Sequence, residues 1–248
     1  MSDPMSSFVV KELIPIHIAG IDLSITNSSI FMIFVTLLIC VLFVSGASKK
    51  KLIPSKLQLI IEKSIFFIGG IVKTSAGQNS VLLFPYMLAL FLFIMFGNVI
   101  GLFPFAFSFT SQIAVTIGMA LIVFMSSIII GLVKQGKHYF RHFCPEGIPG
   151  YLAPFFVVVE LLSFMFRPIS LGIRLFANMV AGHIMIDVIA GFAASMAGIA
   201  ALSVCSVIPV TVNILLNCFK VVVCVLQAYV FVVLSCMYLS ESFADSNH

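Results

Sequence analysis

FRPISLGIRLFANMVAGHIMID, residues 166–187, is the stretch on which the reading of this chain turns. It lies in a very apolar sequence yet carries Arg167, Arg174, Asn178, His183 and Asp187. A lone Arg at mid-membrane costs about 2.5–3.5 kcal/mol on insertion scales. Packing alone gives no reason to accept that cost. The stretch is therefore the default functional site, with Arg174 as a fixed charge on an ion path. The plainer alternative is that these charges pair or snorkel to an interface.

Composition sets the medium. The chain has 248 residues, 61% of them hydrophobic and 9% charged, against roughly 25% charged in soluble domains. Its mean hydropathy is +1.22. A soluble enzyme is excluded, and the fold class is an all-α polytopic membrane protein. The net charge of +4 is modest, and the basic residues gather in a few loops, which fits topology rather than nucleic-acid binding. No Gly-rich phosphate loop is present, so no nucleotide site is expected. The six cysteines, Cys40, Cys144, Cys205, Cys218, Cys224 and Cys236, show no CxxC or Cys/His spacing. Five lie in apolar runs, where cysteine is a small hydrophobe; no disulfide framework, metal or cofactor is expected. The first residues lack a basic n-region followed by an apolar h-region, and are not Arg-rich, so neither a cleaved signal nor a mitochondrial transit peptide is expected.

Outward from the central stretch, the chain alternates apolar runs with basic loops. Residues 1–28 are polar enough to lie outside the bilayer. Ser29–Ala47 is the first apolar run, near the ~20 residues a span requires. Lys49, Lys50, Lys51 and Lys56 follow, and by the positive-inside rule they mark a cytoplasmic loop, with the N-terminus outside. Within the cytoplasmic segment 49–78, residues 57–78 alternate polar and apolar, as an amphipathic interfacial helix does. Val81–Phe103 and Gln112–Val133 give the second and third spans, over 81–133. Lys134, Lys137 and Arg141 mark the inside again. His138 and His142 lie in that basic loop and read as solvated rather than as ligands.

The last two segments are too long for ordinary spans. Tyr151–Gly198 as one helix would reach roughly 70 Å, and Ala200–Ser240 roughly 60 Å, at 1.5 Å per residue. The hydrocarbon core is only ~30 Å thick. Either both helices are broken or both are steeply tilted. The expected architecture is thus about five membrane segments plus the interfacial helix, ending in a long tilted helical hairpin over 151–240. Its tip, near Gly198, faces outside, and ESFADSNH lies inside.

Each long segment carries a polar seam. Steps of three and four keep Glu160, Ser163, Arg167, Ser170, Arg174 and Asn178 near one face. Asn213, Asn217, Lys220, Cys224 and Gln227 do the same in the last segment. Such seams must face each other or water. A hairpin closing near Gly198 brings Arg174 and Gln227 to comparable depth, with His183 and Lys220 outward and Glu160 and Arg167 inward. A guanidinium keeps its proton, so Arg174 can attract a carboxylate and repel a proton but cannot relay one. Asp187 follows His183 by four residues, and such a pair can exchange protons near neutral pH. For Lys220 a snorkelling amine stays open, and Tyr229 and Tyr238 read as packing or interface anchors.

SLGIRLFANMVAGH, QAYVF and GNVIGLFP resemble subunit a of the F-type proton-translocating ATP synthase, from about residue 80 to 240. The resemblance implies a stator that offers two offset proton half-channels to a rotating ring of c subunits. It implies that Arg174 is the essential arginine facing the ring carboxylate, with Gln227 and Asn178 beside it. Glu160 and Ser170 then lie toward the cytoplasmic half-channel and His183 toward the outer one, with Asn217, Lys220 and Asp187. The chain departs from the family at Lys220, where an acid or a histidine is usual; Asp187 is the candidate for the missing carboxylate. The implied partners are the c ring, peripheral stalk b subunits, the rest of the complex, lipid and the transported proton, with no nucleic acid. The implied setting is a bacterial inner membrane, a mitochondrial one being the alternative. A self-contained transporter or channel is the rival from another class; the internal repeats usual in such proteins are not found here.

Overall fold

A computed structural model describes residues 12–14, 17–18, 21–22, 24–47, 55–76, 80–103, 106–136, 153–198 and 206–243. Six α-helices carry it: α1 Asn27–Ala47, α2 Lys56–Ala76, α3 Ser80–Ile100, α4 Ile113–Gln135, α5 Ala153–Ala197 and α6 Val207–Phe243. All but α2 are long and apolar enough to cross a membrane, five among the described residues. The fold is an all-α polytopic membrane protein. Helix α2 carries Glu62, Lys63 and Lys73, yet Ile68 and Val72 on it are fully buried, the division of faces that an amphipathic helix shows.

The two long helices are unbroken. Helix α5 has 45 residues and α6 has 37, about 66 and 54 Å at the helical rise. Pro168 sits buried inside α5 and cannot donate to the carbonyl four residues back, but the helix runs on through it. The polar ends also reach further than hydropathy alone sets them. Helix α4 includes Lys134 and Gln135, and α6 includes Glu241 and Ser242. Gln135 Nε2 donates to the Ser242 carbonyl at 3.2 Å, supplying one of the donors that a helix C-terminus lacks.

The N-terminal segment adds something that the polar reading of residues 1–28 misses. Strand β1, Glu12–Ile14, pairs antiparallel with β4, Ile25–Thr26, and β2, His17–Ile18, pairs with β3, Ile21–Asp22. Isoleucine recurs through ELIPIHIAGIDLSIT, where Pro15 and Gly20 oppose a helix. Lys49–Lys51, Lys137, Arg141, His138, His142, Cys144 and Cys205, on which the sequence raised expectations, lie outside the described residues.

The chain divides into two compact units. In the first, residues 1–52, 92–112 and 175–229, Phe109 is buried with its ring 5.1 Å from that of Phe93. Asn98, fully buried, donates Nδ2 to the Cys224 carbonyl at 3.4 Å and so ties α3 to α6. In the second, residues 53–91, 113–174 and 230–248, Ile68, Met87, Val123, Leu171 and Phe231 form the core. Helices α4 and α5 touch backbone to backbone there. A Cβ on Gly172 would stand 3.0 Å from Ile117 Cα and 3.1 Å from the Thr116 carbonyl oxygen, the close approach that small residues permit between membrane helices.

Candidate functional site

The site residues fall into two groups, one in each unit. In the second unit the inner seam of α5 splits by exposure. Arg174, at the midpoint of α5, and Ser170 are exposed, while Glu160 and Arg167 are half-buried. Arg174 shares its face with exposed Ser170 one turn before it and half-buried Asn178 one turn after, while exposed Ile169 and Ile173 flank that stripe. Arg167 is held differently. Its Nη1 donates to Glu241 Oε2 of α6, and its guanidinium lies 5.9 Å from the Phe164 ring and 5.4 Å from the Tyr238 ring. Tyr238 is thus a packing residue around a cation, in keeping with an anchor rather than a relay.

In the first unit the outer group is built around Lys220. Its side chain is 7% exposed, and Nζ has no hydrogen-bond partner among the described residues. The alkyl chain fits where α5 has no side chain: a Cβ on Gly182 would lie 2.7 Å from Lys220 Cε. The ammonium interacts electrostatically with Asp187 and with His183. Asp187 is exposed and His183 half-buried. A cavity of about 190 Å³ opens beside them, with Asn178, Gly182, Met185, Phe219 and Lys220 in its wall. Asn217 keeps to its own helix, its Nδ2 donating to the Asn213 carbonyl at 2.9 Å. Gln227 is buried, at 8% exposure.

Of the residues singled out in the sequence, Lys220 and Asn178 line that cavity, whereas His183, Asp187 and Asn217 do not, although His183 and Asp187 lie within electrostatic reach of Lys220. Two participants escaped the sequence reading. Gly182 left no signal beyond its lack of a side chain one turn after Asn178. Glu241, which the sequence places only on the cytoplasmic side, is the acid paired with Arg167.

Residues 29–240 match the family described as ATP synthase A chain. This chain belongs to that family. The match reaches back to residue 29, well before the motifs that carry the resemblance. Members among curated proteins include the ATP synthase subunit a of Beijerinckia indica, 40% identical over 241 residues that cover 97% of this chain and 95% of that one. The subunit a of Agrobacterium fabrum is 41% identical over 242 residues, covering 97% of both chains. That of Rhodospirillum rubrum is 40% identical over 242 residues, covering 98% of both. Family membership accords with the multi-pass architecture.

Proposed function

We propose that the chain is the membrane stator of a bacterial F-type ATP synthase and carries protons to and from a rotating ring of c subunits. The observation that supports this most strongly is the exposure of Arg174 at the midpoint of α5. An exposed guanidinium at the middle of a membrane helix calls for an opposite charge or water beside it, and a ring carboxylate has the right charge. Gln227 and Asn178 assist Arg174 in handling that carboxylate.

Protons enter from the outside past Asn217, Lys220, His183 and Asp187 and neutralise a ring carboxylate. A neutral carboxyl can then pass through lipid, where the charged form costs far more. On the other side the carboxyl loses its proton toward Ser170 and Glu160. Arg174, which keeps its own proton, receives the emptied carboxylate and repels any proton moving straight between the two paths. With Lys220 in place of an acid, Asp187 supplies the carboxylate of the outer path. The N-terminus lies outside and the C-terminus in the cytoplasm, and b subunits of the peripheral stalk hold the chain against the ring. It forms no covalent bond with substrate; nucleotide chemistry belongs to other subunits.

The test is ATP-driven proton pumping by membranes carrying the assembled complex. Arg174→Ala is expected to reduce pumping at least tenfold with assembly intact. Pumping retained in the assembled variant would make Arg174 structural and overturn the gate.

A further inference from the structure

We infer that Arg167 and Glu241 form a seal that closes the cytoplasmic end of the space between α4, α5 and α6 to water; the inference rests on the topology proposed above. Three observations carry it. The pair joins α5 to the last turns of α6 across 74 residues of sequence, with the guanidinium 5.9 Å from the Phe164 ring and 5.4 Å from the Tyr238 ring. The space enclosed with the pair by Phe124, Ser127 and Ser242 measures about 30 Å³, room for one or two water molecules rather than a file of them. The rim is itself tied down, by Gln135 on the Ser242 carbonyl and by Lys134 Nζ 5.9 Å from the Phe243 ring.

The physical consequence is directional. Ser170 and Arg174 follow Arg167 along α5 by steps of three and four, and both are exposed. Ser163, Ser170 and Arg174 are the polar groups that the exposed side of α5 offers to a path from the cytoplasmic end. The route through the packed side of the second unit is plugged by the ion pair. Arg167 and Glu241 are positioning residues: they stand outside the proton path, but they confine water to the face on which the gate stands. A cation suits this role because it pairs with the carboxylate while lying against the rings. The pair is only partly buried, with side chains 27% and 43% exposed, so its removal opens the plug without emptying a core.

The test uses the whole complex in native membranes, with Ser127→Cys as a reporter in a chain whose own cysteines are replaced by alanine. Ser127 is 2% exposed, so a water-soluble maleimide should label it slowly. Arg167→Gln and Glu241→Gln are expected to speed labelling at least tenfold and to raise passive proton conductance at least threefold. Arg167→Lys, which keeps the charge close to the rings, should stay within twofold of the parent in both. Unchanged labelling in the two Gln variants, or an Arg167→Lys variant as leaky as Arg167→Gln, overturns the seal. If Arg167→Gln does not assemble, the near-isosteric Glu241→Gln decides by the same criterion. Absence of ATP-driven pumping in the parent would count against the proposed function, whereas a pumping parent with tight Gln variants counts against the seal alone.

Discussion

Lys220 and Arg167 are both cations of the last two helices, and their surroundings differ in kind. Arg167 has a carboxylate in contact, the Phe164 and Tyr238 rings close by and a space of about 30 Å³ next to it. Lys220 is more deeply buried, has no hydrogen-bond partner among the described residues, and adjoins a space of about 190 Å³. A buried charge left without contacts costs several kcal/mol unless water or an opposite charge reaches it. The large space and the nearby Asp187 are what make Lys220 tolerable. One cation is therefore fixed by protein, and the other depends on what enters beside it. Under the proposed function, that is the difference between closing a path and lining one.

The comparison breaks most readily at the acid near Lys220. Asp187→Asn is expected to cut ATP-driven pumping at least tenfold in assembled complexes, because it leaves a buried ammonium with no acid near it. A twofold effect or less would take Asp187 out of the outer path. Reversing the two charges, Lys220→Asp with Asp187→Lys, should recover part of the loss.

The two close-packed glycines sharpen the same contrast. At Gly172 an added methyl meets the backbone of α4, which cannot step aside. Gly172→Ala should destabilise the chain by about 1–3 kcal/mol, the usual cost of overpacking, and lower the amount of assembled complex. At Gly182 the methyl meets the far part of a flexible lysine. Gly182→Ala should therefore leave assembly close to wild type but move the ammonium, lowering pumping by about two- to fivefold. Western quantification of the complex, beside pumping per complex, separates the two; identical profiles would erase the distinction. The smallest expected effect is that of Asn98→Ala, which removes one buried hydrogen bond to the Cys224 carbonyl. It should cost about 1 kcal/mol, read as a few degrees in the thermal transition of the purified complex.

Periodicity and charge carried the sequence reading where the signal is local. The five long apolar helices, the amphipathic α2 and the isolated Arg174 follow from spacings of a few residues and from the cost of charge in lipid. What stayed hidden depends on partners distant in sequence. Nothing in ESFADSNH says that its glutamate meets an arginine 74 residues earlier. Hydropathy ended α6 at Ser240, because it scores the last polar turn as tail, whereas hydrogen bonding across helices keeps that turn helical. Gly182 was silent for a related reason: its contribution is an absence of atoms, and only the position of Lys220 gives that absence meaning. The short strands near the N-terminus were masked by their mixed composition, which reads as loop when alternation is sampled over so few residues.

The exposure of Arg174 also bears on how such a chain is made. Until something acidic covers that guanidinium, every copy in the bilayer carries an unshielded cation at the centre of its longest helix, at a cost of about 2.5–3.5 kcal/mol. That is a sizeable share of the 5–15 kcal/mol by which a native protein is ordinarily stable. An orphan copy is thus thermodynamically marked, and docking its partner removes the mark. Under the proposed function, the charge that meets the ring carboxylate also sets an assembled copy apart in energy from an unassembled one.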